Sequence, residues 1–346
     1  MKTSDFDYAL PPEFIAQTPA EPRDSARLLV LDRRSGQITH TIFREIGNYL
    51  NPGDLLVLNE TRVIPARLYG RKIPTGGRIE VLLLRRVDEN TWETLVGGKG
   101  MGAGKRLQLE DGPEGEVIEV LEGAERRIRF AEPLGPYLDR AGHVPLPPYI
   151  HTPLGDANRY QTVYATRPGS AAAPTAGLHF TPELFTLLET QGVGRAFVTL
   201  HIGLDTFAPV HVDDPRQHII HTEWCQMSAE TAEAVNRTKE EGDDDGYMGR
   251  VICVGTTSVR TVESAARVAP PGQVVGAFEG PTDLFILPGY EFRVVDALVT
   301  NFHLPKSTLL MMMSAFAGRE RILETYEVAK REGYRFYSFG DAMLIL

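Results

Sequence analysis

The sequence predicts an α/β protein in which a mixed-sheet α/β core domain carries an inserted small all-β barrel domain. Short strands separated by glycine turns fill residues 63–147, where helix-period hydrophobicity is nearly absent, as in small barrels and sandwiches. Helices and strands alternate after that region, which is the pattern of an α/β sheet. We therefore predict two domains: residues 1–62 with 148–346 form the α/β domain, and residues 63–147 form the inserted barrel.

The first sixty residues supply the opening strands of the α/β domain. Apolar runs predict strands at 28–31 and 54–58, and the segment 38–43 is predicted to pair with the first of them. Short helices are predicted at 12–17 and 44–50, and Asn51-Pro52-Gly53 ends the second.

The remaining elements follow from the same periodicities. Period-two runs predict barrel strands at 66–71, 78–85, 91–96, 106–109, 116–121 and 127–130, before a short helix at 133–141. The later part of the α/β domain is predicted to contain helices at 182–191, 228–241, 258–268, 307–316 and 319–331. Its predicted strands are 195–202, 250–254, 284–287, 292–300 and 334–338. The run Met311-Met312-Met313 lies within an apolar helix and is predicted to be core.

Composition predicts a cytoplasmic protein with no membrane association. No apolar run approaches the ~18 residues that a membrane span needs, and the polar, acidic residues 1–7 do not resemble a signal peptide. Cys225 and Cys253 are the only cysteines, which suits a reducing compartment.

Positive charge is concentrated in one part of an otherwise acidic chain. The net charge is −10, yet residues 62–106 contain ten basic and four acidic side chains. Such a block is often only a solvated strand face, but it is also the place to expect contacts with phosphates.

Four loops at strand ends or helix starts combine small or hydroxyl residues with histidine or arginine. They are residues 169–180, 199–203 with Thr206 and Phe207, 255–260, and 300–305. Open α/β sheets bind ligands at such positions. The first loop leads into a helix with Thr181 as N-cap and Pro182 in the first turn, an end that favours a carboxylate or phosphate.

Standard catalytic and metal motifs are absent from the sequence. The glycine-rich stretch 98–105 lacks Walker A spacing, and there is no Gly-x-Ser-x-Gly elbow. His211, His218, His221 and Cys225 match no standard zinc spacing, so no metal site is predicted. His221 and Glu223 remain an alternative acid–base pair, two residues apart on one strand face.

Long motifs make the chain resemble one known family. They include Asp-Phe-Asp-Tyr at 5–8, Asn-Glu-Thr-Arg-Val-Ile-Pro-Ala-Arg-Leu at 59–68 and Tyr-Gln-Thr-Val-Tyr at 160–164. Residues 171–180, 197–203, 254–260, 295–305 and 314–318 continue the similarity over nearly the whole chain. The sequence resembles the S-adenosylmethionine:tRNA ribosyltransferase-isomerases of queuosine biosynthesis.

This resemblance implies a monomeric enzyme with an α/β catalytic domain and an inserted barrel. The implied reaction moves the ribosyl part of S-adenosylmethionine onto the 7-aminomethyl-7-deazaguanine base at the wobble position of a tRNA with a GUN anticodon. Epoxyqueuosine-tRNA, adenine and methionine are the implied products. S-adenosylmethionine is a co-substrate, and neither a bound prosthetic group nor a metal is implied.

The resemblance also suggests roles for residues in the four loops. His179, His201 and His303 are the catalytic candidates, with His179 and His201 as acid and base. Arg260, together with Thr256, Thr257 and Ser258, is expected to anchor the methionine carboxylate. Asn301 and His303 are expected to contact adenine or ribose. Phe180 or Phe302 is expected to lie near the sulfonium. The other substrate-binding candidates are Pro174, Thr175, Gly177, Thr199, Gly203 and Glu223, and the tRNA-binding candidates are Arg62, Arg67, Arg71 and Lys72.

Some residues depart from the family pattern, and two other functions remain open. Glu60 stands where Asn or Asp is expected, Leu204-Asp205 replaces small residues, and the acidic segment 243–245 resembles an insertion. A non-catalytic tRNA-binding module would explain the basic block alone. An S-adenosylmethionine-dependent tRNA methyltransferase would release S-adenosylhomocysteine instead of adenine.

Overall fold

The computed structural model describes residues 1–203, 210–220, 222–240 and 248–346. Two compact units divide the chain: Met1–Arg62, Pro148–Arg167 and Ala173–Leu346 form the larger, and Val63–Pro147 with Pro168–Ala172 forms the smaller. Predictions that concern Asp205, Thr206, Phe207, His221 and residues 243–245 lie outside the described residues. The larger unit contains a mixed sheet with helices and the smaller a closed antiparallel barrel, so the predicted fold class is confirmed.

One mixed sheet organises the larger unit. Its described strands are β1 Arg27–Leu31, β2 Ile38–Ile42, β3 Leu55–Asn59, β13 Gly194–Leu200, β14 Glu223–Met227, β15 Val251–Val254, β16 Phe278–Thr282, β17 Ala297–Asn301 and β18 Ala342–Ile345. They pair side by side in the order β16-β14-β13-β3-β15-β17-β18-β1-β2. The central pairs β13–β3, β3–β15 and β15–β17 are parallel. The carboxyl ends of these strands therefore lie at one edge.

Alternating side chains of the strands enter two separate hydrophobic clusters. Leu55 and Val57 of β3 belong to one cluster, and Leu56 and Leu58 to the other. Successive side chains of a strand point to opposite faces, so each cluster covers one face of the sheet. The uninterrupted apolar runs of the central strands reflect this burial on both faces.

Helices of the larger unit cover both faces. Its α-helices among the described residues are α2 Pro182–Thr190, α3 Ala229–Glu240, α4 Thr256–Ala266, α5 Thr308–Ala317 and α6 Arg319–Arg331. The helix α1 Gly135–Ala141 belongs to the smaller unit. Thr181 caps α2 by accepting a hydrogen bond from the Leu184 amide at 3.1 Å, and Ser307 caps α5 in the same way. Gly318, at φ +90°, separates α5 from α6.

The smaller unit is a barrel of six antiparallel strands. Its strands are β5 Arg67–Ile73, β6 Arg78–Arg86, β7 Thr91–Gly97, β8 Arg106–Leu109, β9 Glu114–Val120 and β10 Glu125–Phe130, with the short β11 Gly142–His143 beside β5. Pairing runs in the order β5-β6-β7-β10-β9-β8, and the β5–β8 pairing closes the cylinder. A Cβ at Gly70 would overlap the Gln108 carbonyl across the closing pair, so only glycine fits there. Two further short strands, β4 Thr61–Val63 and β12 Arg167–Ser170, pair with each other.

Several predicted elements differ from the structure. Segments predicted as helices at 12–17 and 44–50 are the 3₁₀ helices Pro12–Phe14 and Phe43–Tyr49. Residues 284–287 are not a strand, and β16 precedes them. The aromatic run at 334–338 is not a strand either, because Tyr337 has φ +75°. Within the described residues, no helix is long and apolar enough to cross a membrane.

Candidate active site

A small cavity lies at the carboxyl ends of β15 and β17 in the larger unit. Gly255, at φ +86°, makes the turn from β15 into α4, a conformation that favours glycine. All four predicted loops contribute to the cavity wall. Six predicted site residues line this first cavity: Pro174, Thr175, Thr256, Thr257, Asn301 and His303.

His303 is the catalytic candidate that lines the first cavity. Its Nε2 lies 2.7 Å from the Thr300 hydroxyl, and its backbone amide donates to the Tyr326 hydroxyl at 3.0 Å. The Tyr8 hydroxyl donates to its backbone carbonyl. Burial lowers the pKa of His303 to about 3, so the imidazole is neutral at physiological pH.

His179 contacts the first cavity through Asn301. It ends the 3₁₀ helix Thr175–His179, and its ring packs against Phe43 at a centroid distance of 5.0 Å. The Asn301 amide nitrogen lies 3.4 Å from His179 Nε2, while the Asn301 carbonyl oxygen accepts from the Thr175 hydroxyl at 3.0 Å. Burial lowers the pKa of His179 to about 4, although the Asp341 carboxylate opposes this shift. Asn301 therefore links a buried neutral imidazole to the cavity wall.

His201 is only half-buried and follows the last residue of β13. Its Nδ1 lies 2.8 Å from the Thr61 hydroxyl, and its ring stacks on Trp224. Burial lowers the pKa of His201 below its usual value. It does not line the first cavity, but the next residue, Ile202, does.

Arg260 and Glu223 form a buried ion pair on the wall of a second cavity. The Arg260 Nε donates to the Leu284 carbonyl at 3.1 Å and its Nη2 to the Thr282 carbonyl at 3.2 Å. Glu223 also accepts from the Gly203 amide at 3.0 Å. Leu309 lines both cavities.

The predicted joint anchor of Arg260 with three hydroxyl residues is divided between two places in the structure. Thr256 and Thr257 line the first cavity, whereas Arg260 lines the second. Ser258 is fully buried, and its hydroxyl donates to the Val254 carbonyl at 2.8 Å. A carboxylate bound by Arg260 would therefore lie in a different cavity from one bound by the threonines.

Four further candidates are buried beside the cavities without lining them. Phe180 stacks on Phe185 at 4.9 Å, and Phe302 packs against Phe336 at 4.9 Å, so both rings belong to the core. Thr199 is buried within β13. Gly177 fits tightly against Tyr164, since a Cβ there would overlap the Tyr164 hydroxyl. A direct contact of either phenylalanine with a sulfonium stays a prediction.

Asn59 is a positioning residue that sequence reasoning did not single out. Its amide nitrogen donates to the Leu200 carbonyl at 3.0 Å and to the Thr257 hydroxyl at 3.1 Å. Its carbonyl oxygen accepts from the amides of Leu200 and Thr61, both at 3.1 Å. Asn59 thereby fixes the Thr257 hydroxyl, which lines the first cavity. It also fixes the backbone of Thr61, whose side chain holds His201. The available signal was a polar residue at the end of the apolar strand β3.

The tRNA-binding candidates lie mostly on one barrel strand. Arg67, Arg71 and Lys72 belong to β5, and Arg62 belongs to the larger unit. Arg67 pairs with Glu80 at 3.1 Å, while Arg71 is exposed and donates to the Gly76 carbonyl at 3.3 Å. Lys72 donates to the backbone carbonyl of Lys99. These bonds from Arg71 and Lys72 end on backbone carbonyls, so they do not neutralise the two charges.

Two other predictions concern residues near these loops. Glu60, the departure from the family pattern, accepts from the Thr166 hydroxyl at 2.5 Å and lies 3.5 Å from Arg167. Across residues 1–203, 210–220, 222–240 and 248–346, no group of three or more His, Cys, Asp or Glu side chains could hold a metal ion.

Comparison with known proteins agrees with the resemblance. The model of the family described as "Queuosine biosynthesis protein" matches residues 3–345. A protein from Dehalococcoides mccartyi named S-adenosylmethionine:tRNA ribosyltransferase-isomerase is 53% identical to this chain over 352 residues. A protein of the same name from Clostridioides difficile is 52% identical over 349 residues. Each match covers 100% of both chains. The crystal structure of an S-adenosylmethionine tRNA ribosyltransferase from Thermotoga maritima shares 41% identity at a TM-score of 0.56, covering 99% of this chain and 100% of that one. The chain belongs to the queuosine biosynthesis protein family, which confirms the resemblance seen in its sequence.

Proposed function

We propose that this protein is an S-adenosylmethionine:tRNA ribosyltransferase-isomerase acting in queuosine synthesis. In the proposed reaction, the ribosyl group of S-adenosylmethionine moves to the aminomethyl group of a 7-aminomethyl-7-deazaguanine base. That base stands at the wobble position of a tRNA with a GUN anticodon, and the products are epoxyqueuosine-tRNA, adenine and methionine. Full-length relatives above 50% identity carry the same enzyme name.

The first cavity is the observation that carries this proposal. Hydroxyl, amide and imidazole groups from Thr256, Thr257, Thr300, Asn301 and His303 line its wall, and these side chains are buried. Neutral donors and acceptors on a concave wall suit a nucleoside, whose base edges and ribose hydroxyls need the same kinds of partner. The apolar Ala173, Ala176 and Leu309 complete the lining.

The proposed chemistry needs a base, a proton donor for adenine and exclusion of water. The sulfonium acidifies the C5′ protons of the substrate, and a base removes one of them. Adenine then leaves and takes up a proton, so one group can serve both steps. The aminomethyl nitrogen attacks the sugar and loses a proton, and closure of the epoxide breaks the bond to sulfur and releases methionine.

Burial lowers the pKa of all three histidines, so each ring is a neutral proton acceptor but a weaker base than a solvated imidazole. His303 lines the cavity, His179 contacts it through Asn301, and His201 is the most accessible of the three. A neutral imidazole accepts a proton directly, and the low polarity around it strengthens its interaction with charge that develops in the substrate. The assignment of base and acid among them is part of the proposal.

The barrel strand β5 is proposed to bind tRNA phosphates through Arg67, Arg71 and Lys72, together with Arg62 of the larger unit. Exposed cations contribute sequence-independent affinity for nucleic acid backbones. We further propose a cytoplasmic monomer that uses S-adenosylmethionine as a co-substrate and no bound prosthetic group.

The deciding experiment mixes the protein with S-adenosylmethionine and tRNA carrying the aminomethyl-deazaguanine base. Adenine and methionine should appear in equal amounts by chromatography, and only with that tRNA. The matched control is the same tRNA with an unmodified guanine. Release of S-adenosylhomocysteine would show a methyltransferase, and tRNA binding without any release would show a non-catalytic binding module.

A further inference from the structure

We propose that Tyr337 and His179 are positioning residues that hold the side-chain amide of Asn301 in one orientation. In that orientation Asn301 and Thr175 offer a ligand only hydrogen-bond acceptors, so this part of the cavity wall selects a group that donates. The nucleoside of S-adenosylmethionine has two kinds of donor, the ribose hydroxyls and the exocyclic amine of adenine. The inference rests on the proposed function, because it takes S-adenosylmethionine as the ligand.

The backbone of Tyr337 has a conformation that large side chains rarely adopt. Its φ is +75° and its side chain is buried, and a bulky residue in this left-handed region is a genuine outlier. Two backbone bonds hold it there: its amide donates to the Phe302 carbonyl at 3.1 Å, and its carbonyl accepts from the Gly340 amide at 3.0 Å. Strained residues persist only where the surrounding structure determines them, and they cluster at functional sites.

The carbonyl of Tyr337 determines which way the Asn301 amide faces. Asn301 Nδ2 donates to this carbonyl at 3.2 Å, and the Thr175 hydroxyl donates to Asn301 Oδ1 at 3.0 Å. Exchanging the amide oxygen and nitrogen would set two acceptors against each other at Tyr337, with no hydrogen between them. Asn301 is buried, so bulk water offers little replacement for the lost bonds. One amide orientation is therefore strongly favoured.

This orientation also determines the tautomer of His179. Asn301 Nδ2 lies 3.4 Å from His179 Nε2, so the second amide hydrogen faces a ring nitrogen that carries a lone pair, and the ring hydrogen is on Nδ1. Burial lowers the pKa of His179 to about 4, and a hydrogen bond with the Arg23 backbone opposes this shift, as a carbonyl that accepts from the ring does. Both ring nitrogens then have partners in the protein, which leaves the proposed proton transfers to His201 and His303.

The polarity of the cavity wall follows from these bonds. Both hydrogens of the Asn301 amide face acceptors, and the Thr175 hydroxyl gives its hydrogen to Asn301. An amide oxygen and a hydroxyl oxygen each have two lone pairs, and both residues line the first cavity. A ligand that contacts these oxygens must therefore supply the hydrogen. A ligand without it leaves a buried acceptor unsatisfied, which weakens binding.

Ligands that lack one donor test the polarity of the wall without any substitution. Calorimetry with the wild-type protein compares S-adenosylmethionine with its 2′-deoxy and 3′-deoxy analogues and with the analogue whose purine lacks the exocyclic amine. At least one analogue should bind about tenfold more weakly, and its identity distinguishes a ribose hydroxyl from the amine as the donor. Equal binding of all four ligands would overturn the inference.

A pair of variants at Tyr337 tests whether its backbone conformation orients the amide. Both Tyr337→Gly and Tyr337→Val remove the ring, but glycine adopts positive φ readily, whereas a β-branched residue does not. Tyr337→Gly should retain the discrimination between the ligands, and Tyr337→Val should abolish it. Equal loss in both variants would show that the ring is required instead of the backbone conformation, which contradicts the proposal.

The tautomer of His179 is a readout that a merely structural role would not change. Proton–nitrogen correlation spectra of the wild-type protein should show the Nδ1–H form for the signal that His179→Gln removes. Tyr337→Gly should keep this form, whereas Tyr337→Val should lose it. An Nε2–H form in the wild-type protein would contradict the proposed orientation of Asn301.

These outcomes separate the inference from the proposed function. Wild-type release of adenine and methionine together with an Nε2–H ring would retain the function and overturn the inference. An Nδ1–H ring with discrimination between the ligands, but without release, would do the reverse. Thermal midpoints show whether both Tyr337 variants fold. If they do not, the wild-type spectra and the ligand series decide, because neither needs a Tyr337 variant.

Discussion

The indole ring of Trp224 stacks on the imidazole ring of His201, with ring centroids 5.3 Å apart and planes 17° from parallel. The His201 amide also donates to the Trp224 carbonyl at 3.1 Å, so the two residues are joined through both backbone and side chain. Thr61 holds Nδ1 from another direction. These contacts therefore fix the orientation of the imidazole.

This contact makes Trp224 a reporter of the charge on His201. Trp92 and Trp224 are the only tryptophans, so a Trp92→Phe background isolates the signal. A protonated imidazole quenches indole emission, and burial lowers the pKa of His201. Emission should therefore stay constant near neutral pH and fall only below about pH 6.5. Fluorescence titration measures this, and His201→Gln should remove the transition; a transition above that pH would contradict the stacked, partly buried geometry.

Substitution of the three histidines should separate catalysis from binding. We expect His179→Ala, His201→Ala and His303→Ala to lower kcat by about 10²–10⁴-fold where the ring transfers a proton, with a smaller effect where it only supports a neighbour. Adenine release under saturating S-adenosylmethionine measures kcat. If all three variants keep turnover within about threefold of wild type, below the usual effect of general acid–base catalysis, the proposed roles are wrong.

The two most buried histidines should make the larger unit less stable in acid. Burial lowers the pKa of His179 to about 4 and that of His303 to about 3, whereas both return to about 6.5 on unfolding. Below that pH the unfolded chain binds protons that the folded chain does not, so the free energy of unfolding falls by up to about 1.4 kcal/mol per pH unit for each histidine. The decline continues until the folded pKa is reached.

Urea unfolding at several pH values measures this dependence. The variants His179→Gln and His303→Gln should each reduce the slope of the free energy of unfolding against pH by the amount that corresponds to about one proton. An unchanged slope in both variants would show that neither histidine is buried in its neutral form.

Gly177 and Tyr164 should behave as a coupled pair. A Cβ at Gly177 would overlap the Tyr164 hydroxyl, and that hydroxyl is buried with no hydrogen-bond partner among the described residues. Gly177→Ala should therefore destabilise the protein by about 1–3 kcal/mol. Tyr164→Phe should be neutral or stabilising by up to about 1 kcal/mol, and it should rescue much of the alanine variant in a double-mutant cycle. Additive effects in that cycle would contradict the steric conflict.

The barrel cations should control the salt dependence of tRNA binding. Arg71→Ala and Lys72→Ala should weaken binding and reduce the slope of log Kd against log salt by about 0.7–0.9 for each phosphate that is no longer neutralised. Arg216→Ala is a matched control, because this exposed arginine of the larger unit pairs with Asp214. Filter binding across a salt series measures both quantities. If the control and the barrel variants change the slope equally, β5 is not the phosphate-binding strand.

Local sequence was sufficient to predict the parts of the site that lie on single loops. Thr256, Thr257, Asn301 and His303 lie at or just beyond the ends of buried apolar strands, and parallel strands bring their carboxyl ends together. The interactions between distant segments were not predictable in this way. Arg260 pairs with Glu223 because α4 packs against β14, which depends on a strand order that periodicity does not determine.

The errors in the predicted elements have a similar cause. Residues 334–338 have the aromatic composition of a strand, yet Phe336 packs against Phe14 and Tyr8. The carboxylate of Asp341 accepts from the amides of Arg335 and Arg27, which fixes the turn before β18. Tertiary packing overrides strand propensity there.

The pairing of β1 with β18 has a consequence for how the chain folds. These parallel neighbours come from opposite ends of the sequence, and β3 lies between β13 and β15, which both follow the barrel region. On the ribosome, all six barrel strands emerge before any parallel partner of β1 or β3 has been made. Contacts between such distant segments form slowly, and domains generally fold as units during synthesis. The barrel is thus expected to fold first, while the apolar strands β1 and β3 remain without their parallel partners until the later part of the chain has been synthesised.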